Sequence, residues 1–350
     1  MDTRPGASQT LVVAPSWVGD LVMSQPLIEA LASQDPSGHV DLLAPAWTAG
    51  LFARLPGAGR CLSSPFAHGE LQLAARRRLG HDIARQGYHQ AFVLPNSFKS
   101  ALIPWFAGIP RRVGYRGEFR YGLLSETRHL DKAGVPRMVD RYYALALPAG
   151  AAPVHAPDPR LAVDRSSAQI ARLAFNLGGL EAPLVLCPGA EFGPAKRWPV
   201  RHFAQVARAM LALERPVWIL GGAKDQAVAE EIRAHDAFHA VNLCGRTSLA
   251  EAVDLMSLAS GVVSNDSGLM HVAAALGVPT VALFGSSSAR FTPPLSPRAR
   301  ALSLELPCSP CFKRICPLGH LDCLEKLLPA QVIATLEALQ GGHAGIAADS

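Results

Sequence analysis

Four short polar loops, each set between apolar runs, hold the residues whose types and spacing could do chemistry. In APSWVGDL, Gly19 permits a tight turn, and Asp20 falls at the start of the helix that follows. A carboxylate there is either a helix N-cap or a general base for a hydroxyl proton. In LCPGAEFGPAKRWP, Gly189 and Gly193 free the loop, and Lys196 and Arg197 place cations beside exposed backbone N–H groups just before a helix. Such an arrangement suits a diphosphate, although solvated surface charges would read the same way. ILGGAKD ends an apolar run on Gly221 and Gly222, with Lys224 and Asp225 in reach of a ribose or phosphate unless this is a plain strand-to-helix turn. The most distinctive loop is SNDSGLMH, where Asn265, Asp266, Ser267 and Gly268 lead into a helix carrying His271. Ser267 and the N–H groups of Gly268 and Leu269 would make an anion site at a positive helix end, with Asp266 otherwise a cap.

Two further groups stand outside these loops. CSPCFKRICPLGHLDC gathers Cys308, Cys311, Cys316 and Cys323 around His320. Its spacing is not a pair of CxxC knuckles, so a structural zinc, free thiols shaping a loop, and a disulfide all stay open. Basic residues cluster at Arg76–Arg78 and at Arg111, Arg112, Arg116 and Arg120, either as solvated faces or as holders of an acidic ligand. No GxxxxGK[ST] or GxGxxG sequence follows a strand, which removes the P-loop and disfavours a dinucleotide-dependent oxidoreductase. A DxD pair in a plausible loop is also missing.

The elements that must position these loops follow from the patterning. Apolar runs at Thr10–Ala14, Val40–Leu43, Gln90–Leu94 and Arg112–Gly114 read as strands, with helices over Asp20–Ser33 and Glu70–Gln86. After the Ala/Pro-rich stretch Ala149–Pro159, which reads as a linker, a helix over Ser166–Leu177 opens a second series. Its strands are Leu184–Cys187, Val217–Leu220, Ala240–Leu243, Gly261–Ser264 and Thr280–Phe284, and its helices Val200–Glu214, Gln226–His235, Leu249–Leu258 and Leu269–Leu276. A closing helix over Pro329–Leu339 could dock on either half. Strands alternating with helices predict parallel sheets covered on both faces, here two doubly wound domains, 1–155 and 156–350. With 350 residues, 49% of them apolar and 17% charged, the chain can fill two cores. A net charge of +5 spread along the chain argues against nucleic acid, and no run is long and apolar enough for a membrane span or export signal. A cytoplasmic protein with reduced cysteines is expected.

In order and spacing, PSWVGD, PGAEFGPAKRWP and NDSGLMHVAAAL resemble the ADP-heptose:lipopolysaccharide heptosyltransferases, glycosyltransferase family 9, and within it most resemble members that add a second heptose. The resemblance runs from about Leu11 to Leu328. It implies a GT-B architecture of two facing Rossmann-like domains with a cleft between them, acceptor on the N-terminal domain and nucleotide sugar on the C-terminal one. It implies inverting transfer of L-glycero-D-manno-heptose from ADP-L-glycero-D-manno-heptose to a heptosyl-Kdo2-lipid A acceptor at the cytoplasmic face of the inner membrane. Asp20 resembles the family's base and Lys196 its phosphate-neutralising lysine, with no cofactor required for catalysis. Donor contacts would fall to Gly189, Glu191, Lys196, Arg197, Gly222, Lys224, Asp225, Asn265, Asp266, Ser267, Gly268 and His271. Acceptor contacts would fall to Trp17, Gly19, Asn96, Lys99, Arg116 and Arg120. Lys224 stands where a related pattern has an acidic residue, leaving Asp225 as an alternative ribose contact. Competing readings are a family member acting on another core acceptor and a non-catalytic nucleotide-sugar binder.

Overall fold

The computed structural model describes residues 9–66, 69–179, 181–235, 237 and 239–341. The chain divides into two compact units, Met1–Ala162 and Val163–Ser350. The junction falls after the Ala/Pro-rich stretch because that stretch is fastened to the first unit. Ala156 N–H donates to Asp140 (2.8 Å), Arg160 pairs with Glu29 (2.5 Å), and Ala162 N–H donates to the Arg54 carbonyl (2.8 Å).

In the first unit, β1 (Thr10–Val13), β2 (Val40–Pro45), β3 (Ala58–Ser64), β4 (Gln90–Val93), β5 (Arg111–Tyr115) and β6 (Glu126–Arg128) form one parallel sheet ordered β3-β2-β1-β4-β5-β6. The helices are α1 (Val18–Met23), α2 (Gln25–Ala32), α3 (Ala49–Phe52), α4 (Leu73–Ala84), α5 (Phe98–Phe106) and α6 (Met138–Ala144). The central strand TLVV is buried throughout, as a strand covered on both faces must be. The single helix expected over Asp20–Ser33 is two. Ser24 turns its hydroxyl onto the Leu21 carbonyl (2.7 Å), and Pro26, which has no N–H to donate, sits in the first turn of α2.

The second unit repeats the topology. β7 (Leu184–Cys187), β8 (Val217–Ile219), β9 (Val241–Asn242), β10 (Gly261–Asn265), β11 (Thr280–Leu283) and β12 (Ala299–Leu302) are ordered β12-β11-β10-β7-β8-β9, again all parallel. Around them lie α7 (Arg165–Ala174), α8 (Val200–Leu211), α9 (Gln226–Ala234), α10 (Leu249–Met256), α11 (Gly268–Ala275), α12 (Asp322–Glu325) and α13 (Pro329–Gly341). The closing helix α13 packs on its own unit, against α8 and strands β10–β12. Gly261 makes room for it, since a Cβ there would lie 2.6 Å from the Leu336 side chain. Trp198, Phe203 and Phe284 are fully buried in this half, each contributing about 2–3 kcal/mol of apolar burial. Among the described residues no helix is long and apolar enough to cross a membrane.

In each sheet the chain order reverses beside the first strand, between β1 and β4 and between β7 and β10. The crevice outside the carboxyl ends of such a pair is where open α/β sheets bind ligands.

Candidate active site

In the first unit the loops after β1 and β4 part around a cavity of about 470 Å³. Trp17, Asp20, Asn96 and Lys99 line it, so four expected site residues from two loops meet there. Trp17, not Asp20, holds the N-cap position of α1, and Asp20 lies in its first turn, half-buried. Gly19 is buried beneath it. From α6, Tyr142 presents a buried hydroxyl that hydrogen-bonds to Asp20. Burial first, and then the Asp20 charge and this hydrogen bond, push the phenol well above its ordinary pKa, so Tyr142 stays protonated and donates.

Two arginines expected at this site do other work. Arg120 is buried, and its guanidinium donates to the carbonyls of Pro95 (2.7 Å) and Tyr115 and to Asn96 Oδ1 (3.2 Å). It pins the turn that carries Asn96, and burial lowers its pKa to about 10. Arg116 is exposed and lies against Tyr121, its Nε 3.0 Å from the phenol oxygen, away from the cavity wall. The cations that do reach the wall are Arg76, Lys99, Lys132 and Arg141. Arg76 is held by the Leu71 and Glu70 carbonyls (2.6 and 3.1 Å) and covers the Phe66 ring at 4.0 Å. Lys132, Arg141 and Tyr142 carried no sequence signal, because they precede the linker in a stretch without a strong apolar period.

In the second unit the loops after β7 and β10 are stitched together. Asn265, fully buried, donates to the Pro188 carbonyl (2.7 Å) and accepts from Trp198 N–H (3.0 Å), which makes it a staple for the lysine-bearing loop. Lys196 ends a short 3-10 turn, Pro194–Lys196, and its ammonium lies 2.5 Å from Asp266 and 5.2 Å from the Phe192 ring. Ser287 also donates to Asp266 Oδ2, at 2.5 Å. Ser287 lies in GSSS, which after an apolar strand has the same small-polar signature as NDSG. His271 is buried one turn into α11, where burial drives its pKa down to about 4 and keeps the ring neutral. Ser267 and Gly268, half-exposed, form the start of α11 and leave its N–H groups available to an anion.

The remaining donor candidates are nearby but otherwise engaged. Gly189 lets the Asp225 carboxylate approach closely, since a Cβ there would stand 2.4 Å from it and push it aside. Asp225 accepts from Gly222 N–H (2.9 Å), closing its own turn, and burial raises its pKa. Lys224 reaches Glu191 at 3.2 Å, both exposed, at the edge of an open pocket of about 860 Å³ that includes Arg233, Asn242 and Arg246. Arg197 is half-buried, with its Nε lacking a hydrogen-bond partner among the described groups.

The cysteine segment braces this site. The Arg314 carbonyl accepts from Ala195 N–H (3.0 Å), Phe312 N–H donates to the Ser286 carbonyl (2.7 Å), and Ser309 donates to the Gly285 carbonyl (2.5 Å). Gly193, at φ 152°, lets the donor loop lie against Arg314, where a Cβ would come within 2.6 Å of the carbonyl oxygen. Cys308, Cys311, Cys316 and Cys323 are free thiols. Backbone N–H groups of Leu321, Leu318, Gly319 and His320 point at Cys316 and lower its pKa, whereas burial raises that of Cys323. Among the described residues no three His, Cys, Asp or Glu side chains converge as a metal site.

The chain as a whole has relatives among known proteins. Residues 76–322 match the family model of glycosyltransferase family 9 (heptosyltransferase). The chain is 43% identical over 339 residues to lipopolysaccharide heptosyltransferase 2 of Escherichia coli K12, covering 94% of this chain and 97% of the relative. It is 44% identical over 340 residues to the protein of the same name from Salmonella typhimurium LT2, covering 94% and 97%. The solved structure of E. coli ADP-heptose LPS heptosyltransferase II superposes with a TM-score of 0.84 at 42% identity, covering 95% of this chain and 98% of that one. The likeness bears out the GT-B class of α/β fold expected from the motifs, and the chain belongs to glycosyltransferase family 9, the heptosyltransferases.

Proposed function

We propose that this protein is a lipopolysaccharide heptosyltransferase 2, moving L-glycero-D-manno-heptose from ADP-L-glycero-D-manno-heptose onto the first heptose of heptosyl-Kdo2-lipid A. The observation that carries this reading is kinship along nearly the whole chain with proteins of that activity. In the first unit, which takes the acceptor, Asp20 accepts the proton of the acceptor hydroxyl as its oxygen attacks the anomeric carbon from the face opposite the diphosphate. The new C–O bond forms as the bond to the β-phosphate breaks, and the electron pair leaves on ADP with inversion. In the second unit, which takes the nucleotide sugar, Lys196, the start of α11 and Arg197 stabilise that leaving charge. Side-chain cations supply the neutralisation that a cofactor would otherwise provide, and the free thiols serve to shape the loop behind Lys196.

A lipid-anchored acceptor brings the protein to the cytoplasmic leaflet. Exposed Arg77 and Arg78 on α4, with exposed Phe119 and Tyr121, support peripheral contact with an anionic surface. Loss of sedimentation with phosphatidylglycerol vesicles on replacing both arginines is the expected result; undiminished sedimentation would refute that contact.

The activity is tested by mass-resolved transfer from ADP-L-glycero-D-manno-heptose to purified acceptors carrying zero, one or two heptoses. Gain of a single heptose on the mono-heptosyl acceptor is expected. Gain on another acceptor would move the protein to a different family activity, and donor binding without transfer to any would favour a binding protein.

A further inference from the structure

We propose that Tyr142 is a positioning residue for Asp20, its buried hydroxyl holding the carboxylate ionised and aimed into the cavity of the first unit. The proposal rests on Asp20 being the base of the transfer reaction.

Tyr142 has no freedom to leave this position. It lies on α6, which packs against α1 and α2, and the helix is clamped on both sides. Arg137 makes two bonds of 2.7 Å to Asp140, which also takes Ala156 N–H at 2.8 Å. On the other side Tyr115 donates to the Arg141 carbonyl at 2.6 Å, and Arg141 Nε to that of Val135 at 2.8 Å. The ring is buried, and a phenol hydroxyl withdrawn from water without a partner is costly; Asp20 supplies the partner. Both residues line the same cavity, so the bond is made at the wall where a ligand would sit.

This bond does two things for a base. A hydrogen bond to the charged form of a carboxylate favours that form, which keeps Asp20 able to accept a proton at lower pH. It also fixes the carboxylate at the cavity wall, where the hydroxyl to be deprotonated would sit. Because Tyr142 remains protonated, it does not itself compete for that proton. The other titratable groups on the wall of this cavity are the cations Arg76 of α4, Lys99 of α5, Lys132 and Arg141, and the phenol of Tyr115 on β5. Glu29 of α2 is turned to Arg160, and Asp41 of β2 to Arg60 and Tyr88.

The test is the pH dependence of kcat for wild type, Tyr142→Phe and Asp20→Asn, with ADP-heptose and the mono-heptosyl acceptor. Tyr142→Phe keeps the ring and its packing but removes the donor. Its kcat is expected to fall about tenfold near pH 6 with KM nearly unchanged, and its acid limb to move up by about one pH unit. An acid limb that stays in place overturns the proposal even if activity falls, since lost packing lowers kcat without moving the profile. Should the Phe variant fail to fold, 3-fluorotyrosine at position 142 retains the hydroxyl and makes it a stronger donor. The acid limb must then move down, and an unmoved limb is again contrary. Asp20→Asn separates the two claims: if it turns over normally the base assignment fails and Tyr142 falls with it. If it is inactive while Tyr142→Phe has the wild-type profile, only the positioning role is wrong.

Discussion

At the switch point of the first sheet, the loops after β1 and β4 part to leave a cavity with a half-buried carboxylate and four cations on its wall. At the equivalent point of the second, the loops after β7 and β10 close on each other through Asn265 and the Lys196–Asp266 pair. One topology thus gives an open crevice suited to a bulky anionic acceptor and a tight one suited to a diphosphate. The difference comes from loop chemistry. Around Asp20 the loops line a cavity, whereas a buried asparagine, a serine and two closely packed glycines tie the loops of the second crevice together. A preorganised cation near a leaving diphosphate avoids reorganisation during reaction, and an open cavity admits a large sugar.

The sharpest way to break this division of labour is at Asp20. Asp20→Asn keeps the size of the side chain and removes its basicity, so turnover should fall by about 10²–10⁴ with the fold intact, measured by transfer rate and circular dichroism. Next in size, Asn265→Ala leaves the Pro188 carbonyl and Trp198 N–H unpaired in a dry interior. Urea unfolding should show a loss of about 2–4 kcal/mol. In the first unit the turn after β4 is pinned instead by Arg120, from the loop after β5.

A smaller effect comes from His271. Its folded pKa, about 4, lies below the ordinary histidine value, so between about pH 6.5 and about 4 the unfolded chain binds a proton that the folded chain refuses. Stability supplied by neutral His271 is complete above that window and lost as pH falls through it. His271→Gln should therefore flatten the fall of melting temperature between pH 6.5 and 4.5, and an unchanged slope would contradict the assignment. Smallest of all, Glu191→Gln breaks only an exposed ion pair with Lys224. Its melting temperature should differ from wild type by no more than about a degree or two.

Both sheets were legible in their buried strands, where LVV, AFV, LVLC and VVS are apolar on both faces and could not belong elsewhere. Of the four edge strands only β9, inside the expected Ala240–Leu243, was. Ala58–Ser64, Glu126–Arg128 and Ala299–Leu302 are interrupted by polar residues and partly exposed, so they lack the apolar run that marks a central strand. Helix α5 was missed as well, as FKSALIPWF has a proline inside it and little polar periodicity. Of the chemistry, Asp20 and Lys196 were readable because each follows a strand on a glycine-bearing loop. The partners that define them were not. Tyr142 reaches Asp20 from more than a hundred residues away, and Ser287 reaches Asp266 from the next strand's loop. Arg120 read as a ligand cation because sequence does not show that three oxygens of its own unit already claim it.

The most direct measurement is calorimetric binding of ADP-L-glycero-D-manno-heptose beside transfer rates, in Asp20→Asn and Lys196→Met. The account predicts that Asp20→Asn binds the donor within about twofold of wild type while turnover falls at least about a hundredfold, and that Lys196→Met loses donor affinity about tenfold or more. Weakened donor binding in Asp20→Asn, or wild-type donor affinity in Lys196→Met, would contradict the division between the two crevices.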